Sequence, residues 1–160
     1  MPYFVVSACI VLLDQWSKHY MSDLLELCVP GRCDSIIVLP VFRLTLLHNE
    51  GAAFSFLDDA GGWQRWFLLA ISIGVSLFIA GWLARVWREQ KLLSISLCLI
   101  LGGAIGNLID RAMVGYVVDF LVFHWDSYYF PAFNIADTAI SCGAVLLIID
   151  MFFNHRPEEA

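Results

Sequence analysis

The sequence predicts an α-helical membrane protein with four transmembrane helices and a small extracytoplasmic β-sheet between the first and second. Composition is the first reason: of 160 residues, 60% are hydrophobic and 15% charged, and the mean hydropathy is +0.75, far from the balance of a soluble domain. The second is the length of the apolar runs. A helix needs about 20 largely apolar residues to cross a bilayer, and such segments lie at about residues 2–20, 66–87, 92–109 and 133–153. The third is the interval of about 40 residues between the first two segments, too long for a bare connector and rich in β-branched residues.

Taken in order, the first segment could be mistaken for a cleaved leader, but it has no basic flank, and Asp14, Gln15 and Lys18 interrupt the place where a cleavage site would follow. It is expected to stay as a helix. Beyond it, Cys28 and Cys33 flank "VPGR", whose Pro30-Gly31 pair is a turn signal. In an oxidising compartment a disulfide across that turn and two free thiols are both reasonable. Cys9, Cys98 and Cys142 fall within proposed spans, where a thiol behaves as a small apolar side chain. "SIIVLPVFRLTLLHN" is rich in β-branched residues, its Arg43 and Thr45 alternate with Phe42, Leu44 and Leu46, and Pro40 divides it, which predicts strands in an outer-face β region over about residues 35–56. The glycine and alanines of "NEGAAFSF" allow close backbone approach there.

The connection between the second and third segments carries Arg85, Arg88 and Lys91 against Glu89, so the positive-inside rule makes it cytoplasmic. Four crossings then put both termini in the cytoplasm and send residues 21 to about 65 and 112 to about 132 outward. The net charge of -6 does not bear on this, because orientation follows Lys and Arg in short loops. Trp63, Trp66, Trp82, Trp87, Trp125, Tyr128 and Tyr129 stand where interfacial belts are expected, with ordinary packing as the alternative. In the third segment, "LGGAIGNLIDR", Gly102 and Gly106 form a small-xxx-small pair for close helix contact. No repeat divides the chain, so residues 1–160 are read as one integral membrane domain; the final "NHRPEEA" is expected to fray.

The polar residues inside these apolar runs demand a reason, since an ionised group near the bilayer centre costs roughly 2.5 to 3.5 kcal/mol. Asp14 and Lys18 are spaced as a helical ion pair. Asn107, Asp110 and Arg111 share one helical face, as do Asn134 and Asp137; a supporting network and direct chemistry both suit them. Asp119 and Asp137 stand apart, because no Arg or Lys occurs between Arg111 and Arg156 to neutralise them. Two carboxylates brought together in a poorly hydrated site share one proton, and such a pair can activate water against a peptide carbonyl. The aromatic stretch between them reads as an interfacial loop. His19, His48, His124 and His155 are dispersed without ligand spacing, which predicts no metal and no cofactor, and no phosphate loop or G-x-S-x-G appears. Ser17 and Lys18 do not share a helix face, which argues against a Ser/Lys dyad. A small proton-coupled transporter or channel is the alternative class, and a non-catalytic scaffold a third.

The ordered motifs "LLDQWSKHY", "HNEGAAFSF", "GGAIGNLIDR", "GYVVDF" and "FNIADTAI" resemble bacterial lipoprotein signal peptidase, also called signal peptidase II, over nearly the whole chain. The resemblance implies a four-helix aspartic endopeptidase of the bacterial cytoplasmic (inner) membrane with its active site near the outer face. It would cleave the signal peptide from diacylglyceryl-modified prolipoproteins just before the lipidated cysteine. The catalytic dyad maps onto Asp119 and Asp137, and the supporting residues onto Asp14, Lys18, Asn49, Gly51, Asn107, Asp110, Arg111 and Asn134. Cys28 and Cys33 are not part of the family pattern. The implied partners are the lipidated prolipoprotein and membrane lipid, with no nucleic acid and no oligomeric partner required.

Overall fold

The computed structural model describes residues 2–51 and 63–153. In chain order these form α1 (Pro2–Leu24), β1 (Ile36–Leu39), β2 (Phe42–Asn49), α2 (Trp63–Val86), α3 (Lys91–Met113), β3 (Val117–Trp125), β4 (Tyr128–Tyr129) and α4 (Ile135–Phe153). The stretch "AAFSF" of the expected β region and the "NHRPEEA" tail lie outside the described residues.

Among the described residues, three helices are long and apolar enough to cross a membrane: Arg65–Val86, Lys91–Met113 and Ile135–Phe153. α1 matches them in length but carries Asp14, Gln15, Lys18 and His19 in its second half. α3 is the axis of the bundle, with α1, α2 and α4 packed around it. Glycines let the neighbours close in: a Cβ on Gly102 would meet Ile10 and the Ser7 carbonyl, and one on Gly106 would sit 2.6 Å from Asp14 Oδ2. At the far end from the sheet, Leu83, Leu93, Leu97 and Leu101 form a buried cluster that also gathers Tyr3 and Phe4 of α1 and Leu147 of α4.

The sheet is antiparallel in the order β1-β2-β3-β4. Its first two strands turn at Pro40-Val41, because proline fits a turn better than a ladder. Its other half corrects the expectation of an aromatic loop after Asp119: β3 is an interior strand paired with β2 on one side and β4 on the other. The strand escaped notice because Val117 to Phe120 are all buried, so its sequence does not alternate apolar with polar. A turn at Gly115, with φ of 94°, carries the chain from α3 into β3. Leu25, Leu46 and Val118 pack the end of α1 against the sheet. Cys28 and Cys33 are joined as a disulfide, and the Cys28 N–H donates to the Leu46 carbonyl at 2.9 Å.

Candidate active site

Asp137 owes its position to the start of α4. Asn134 caps the helix: its Oδ1 accepts from the Asp137 N–H at 2.9 Å, while Asp137 Oδ2 accepts from the Asn134 N–H at 3.3 Å. This reciprocal pair is a capping box, with asparagine and aspartate in place of the usual residues. A structural role therefore already accounts for one carboxylate oxygen. The other, Oδ1, accepts from Asn107 Nδ2 of α3 at 2.7 Å and faces the same cavity as Asp119.

Asp119 lies on β3 opposite Leu47 of β2 and is 3% exposed. Asn134 Nδ2 donates to its Oδ1 at 2.7 Å, and Asn49 Nδ2 donates to its Oδ2 at 3.2 Å. Asn134 thus serves both acids, one through its cap and one through its amide. Burial pushes the Asp119 carboxyl up to about 7, the negative charge of Asp137 adds to this, and the two asparagine bonds and Lys18 oppose it. The ion pairs found among the described residues go to Asp14, Asp110, Asp23 and Glu26, and none involves Asp119 or Asp137.

Behind the two acids lies a network that binds α1 to α3. Lys18 Nζ is 2.8 Å from both Asp14 Oδ2 and Asp110 Oδ2, and it donates to Asn107 Oδ1 at 2.9 Å. The sequence suggested a two-residue ion pair; the lysine instead bridges two acids from different helices. Such burial is tolerable because each of the four carboxylate oxygens has at least one donor, from Lys18, Gln15 or the N–H groups of Val118 and Ala136. Gly106 makes room for the Asp14 carboxylate, so this glycine does more than ease helix packing. Arg111 donates from Nη2 to the Gly51 carbonyl at 3.1 Å, and the Gly51 N–H donates to Asn49 Oδ1 at 3.1 Å. The end of β2 is thereby fastened to α3.

The acids open onto a cavity of about 690 Å³. Asn49, Asn107 and Arg111 supply its polar wall, residues 129–133 an aromatic and proline-containing wall, and Ile140 and Ser141 its extension along α4. His48 lines the same cavity, stacked on Tyr116 with ring centroids 3.8 Å apart. Burial lowers the proton affinity of His48, with Glu50 opposing. No group of three metal-ligating side chains occurs among the described residues.

The structure therefore gathers Asp119, Asp137, Asn49, Asn107, Arg111 and Asn134 around or beside one cavity, with Asp14, Lys18, Asp110 and Gly51 behind it. Cys28 and Cys33 stand apart from it, beside β2. Two contributors escaped the sequence reading. Gln15 joins the buried network through Asp14 and Asp110, and its signal was a polar amide beside Asp14 in an apolar run. Arg65 of α2 donates to the carbonyls of Arg111 and Ala112 at 3.0 and 2.9 Å, closing the end of α3; nothing in its local sequence marks that partner.

A family model described as signal peptidase (SPase) II matches residues 6–153. The chain is 54% identical over 149 residues to a lipoprotein signal peptidase of Alteromonas mediterranea, covering 93% of this chain and 79% of that protein. It is 48% identical over 160 residues to one of Pasteurella multocida, covering 99% and 94%. Among solved structures it is similar to a bacterial membrane enzyme determined by the in meso method, with a TM-score of 0.77 and 28% identity over 99% of this chain and 94% of that one.

Proposed function

The chain belongs to the signal peptidase II family, and from that premise we propose that Asp119 and Asp137 are the catalytic pair with which it removes signal peptides from prolipoproteins. It is a membrane-bound hydrolase of the protease class. The observation that carries the catalytic assignment is the pairing itself: two carboxylates on one cavity, each held by asparagine amides and neither in an ion pair among the described residues. The amides orient the carboxylates without supplying a full positive charge, so the pair can retain a shared proton. In the reaction, the ionised carboxylate takes a proton from water as the oxygen attacks the scissile carbonyl, and the protonated one donates to the carbonyl oxygen. Collapse of the tetrahedral intermediate breaks the C–N bond, and a carboxyl proton passes to the leaving amine. No metal or cofactor is needed for these steps, and a transporter reading leaves the family membership without explanation.

The finer reading is that the substrate is a diacylglyceryl-modified prolipoprotein cut just before its lipidated cysteine. Its signal helix lies among the spans and its acyl chains in the bilayer. A helical substrate hides its peptide bonds, so the segment at the cavity must unwind, and small residues there do so at lower cost. α1 is the fourth span: its exposed side chains include Val5, Leu12, Leu13 and Trp16, while its buried ones are Ser7, Asp14, Ser17 and Lys18. That inverted polarity suits lipid outside and a polar site inside. Both termini are then cytoplasmic in a bacterial inner membrane. The sheet rests on the outer face, the side on which a Cys28–Cys33 disulfide would persist. Asp14, Lys18, Asn49, Gly51, Asn107, Asp110, Arg111 and Asn134 act in support, and one copy of the chain contains every residue assigned to the site.

The test is cleavage of a lipidated prolipoprotein, beside its unlipidated form, by Asp119→Asn and Asp137→Asn with folding checked. Both variants should lose turnover by at least about a thousandfold, and the unlipidated form should be cut poorly by the parent. Substantial turnover by either variant would sink the pair.

A further inference from the structure

Two buried carboxylates hold the chain just ahead of each member of the pair. Asp14 Oδ1 accepts at 2.8 Å from the N–H of Ala136, which precedes Asp137. Asp110 Oδ2 accepts at 3.1 Å from the N–H of Val118, which precedes Asp119. The two acids lie on different helices, are 0% and 6% exposed, and would repel one another if nothing bridged them. Among the described residues, two side chains touch both. One is Lys18; the other is Gln15, whose Nε2 donates to Asp110 Oδ1 at 2.7 Å, to the Gly106 carbonyl at 3.1 Å and to Asp14 Oδ2 at 3.3 Å.

We propose that Gln15 is a positioning residue: its carboxamide bridges the two buried carboxylates that hold the backbone ahead of Asp119 and Asp137, and so sets the spacing and pH response of that pair. The inference rests on Asp119 and Asp137 being the catalytic pair. An amide suits the place because it adds donors without adding charge. One ammonium faces two carboxylates, so the amide's donors relieve a surplus of negative charge behind the pair without adding a second cation. A second cation would favour ionisation of both catalytic acids; a further carboxylate would oppose the first ionisation. The charged and titratable groups around this path are Asp14 and Lys18 on α1, Asp110 and Arg111 on α3, Asp137 on α4, Asp119 on β3 and His48 on β2.

The experiment uses the full chain in detergent and lipid with a lipidated prolipoprotein, and compares Gln15→Met, which keeps length but removes the donors, with Gln15→Glu, which keeps shape. Gln15→Met should lower kcat about tenfold with KM within about twofold, the scale of one hydrogen bond to a charged group. The acidic limb of its kcat/KM profile should move to higher pH, because unrelieved negative charge makes the first ionisation of the pair harder. Gln15→Glu should approach the parent rate at the acidic end, where the introduced carboxyl can donate, and once ionised its charge should hold the pair's shared proton to higher pH, moving the basic limb upward. Parent-like kcat and limbs in Gln15→Met overturn the proposal, and so does a loss of kcat with neither limb moved, which is what a purely structural role gives. If Gln15→Met fails to fold, an unmoved basic limb in folded Gln15→Glu overturns it. Asp119→Asn, run alongside, separates the two readings: its turnover would remove the catalytic pair, whereas parent-like Gln15→Met beside inactive Asp119→Asn removes only the role of Gln15.

Discussion

Asp119 is pulled two ways by its surroundings. Two asparagine amides favour its ionised form, yet burial and the nearby charge of Asp137 outweigh them and hold its carboxyl up to about 7. The direction of the resulting pH dependence follows. In the unfolded chain this carboxyl ionises near 3.8, so between about 3.8 and 7 the folded state binds the proton more tightly. The contribution of Asp119 to stability is therefore complete below about 3.8 and is lost as pH rises through about 7. Activity should follow the same proton. Above about pH 7 the pair loses its shared proton and with it the acid of the reaction, so kcat/KM should fall toward tenfold per pH unit. A profile that stays flat to about pH 9 in a stable preparation would contradict this assignment.

At the scale of elements, the start of α4 combines two tasks that are usually separate. Asn134 terminates the helix and also supplies an amide to Asp119, so its two roles can be divided by substitution. Asn134→Asp keeps an oxygen to cap the helix, since aspartate is as good an N-cap as asparagine. It removes the Nδ2 donor and sets a third carboxylate beside the other two. The expected result is a thermal midpoint lowered by a few degrees at most and turnover reduced by about a hundredfold or more. Comparable losses in an unfolding scan and in the cleavage assay would mean that the cap alone matters. β3 is tied in the same way. Its partner β2 brings Asn49 to Asp119, while Arg111 of α3 holds the Gly51 carbonyl just beyond β2, so a short sheet is fixed to a helix bundle on both sides of the cavity.

Across the whole molecule, what could be read from the sequence depended on how local its cause was. Apolar runs marked α2, α3 and α4, β-branched residues marked β1, and alternation marked β2. β3 gave no such sign, because it is buried along both faces in its first half. The acids at Asp119 and Asp137 were conspicuous because nothing nearby in sequence could neutralise them, whereas the Gln15 and Arg65 contacts depend on partners 95 and 46 residues away. α1 is the case where composition and three-dimensional placement point apart: its polar residues lower its apolar character, yet they face inward and its apolar residues face outward. If α1 crosses the bilayer, its first turn must share a side with the α2–α3 connection. The packing favours this, since Tyr3 and Phe4 join the same cluster as Val86, Trp87 and Leu147. In the orientation proposed above, that side, which carries Arg85, Arg88 and Lys91, is cytoplasmic. In spheroplasts carrying single-cysteine variants on a background without reactive native thiols, Pro2→Cys and Gln90→Cys should therefore resist an impermeant maleimide until the membrane is permeabilised. Asp126→Cys, in the β3–β4 turn, should react at once. Labelling of Pro2→Cys in intact spheroplasts would place the start of α1 outside and reduce the crossings to three, leaving the buried Asp14–Lys18–Asp110 network in a helix that lies against the bundle without spanning it.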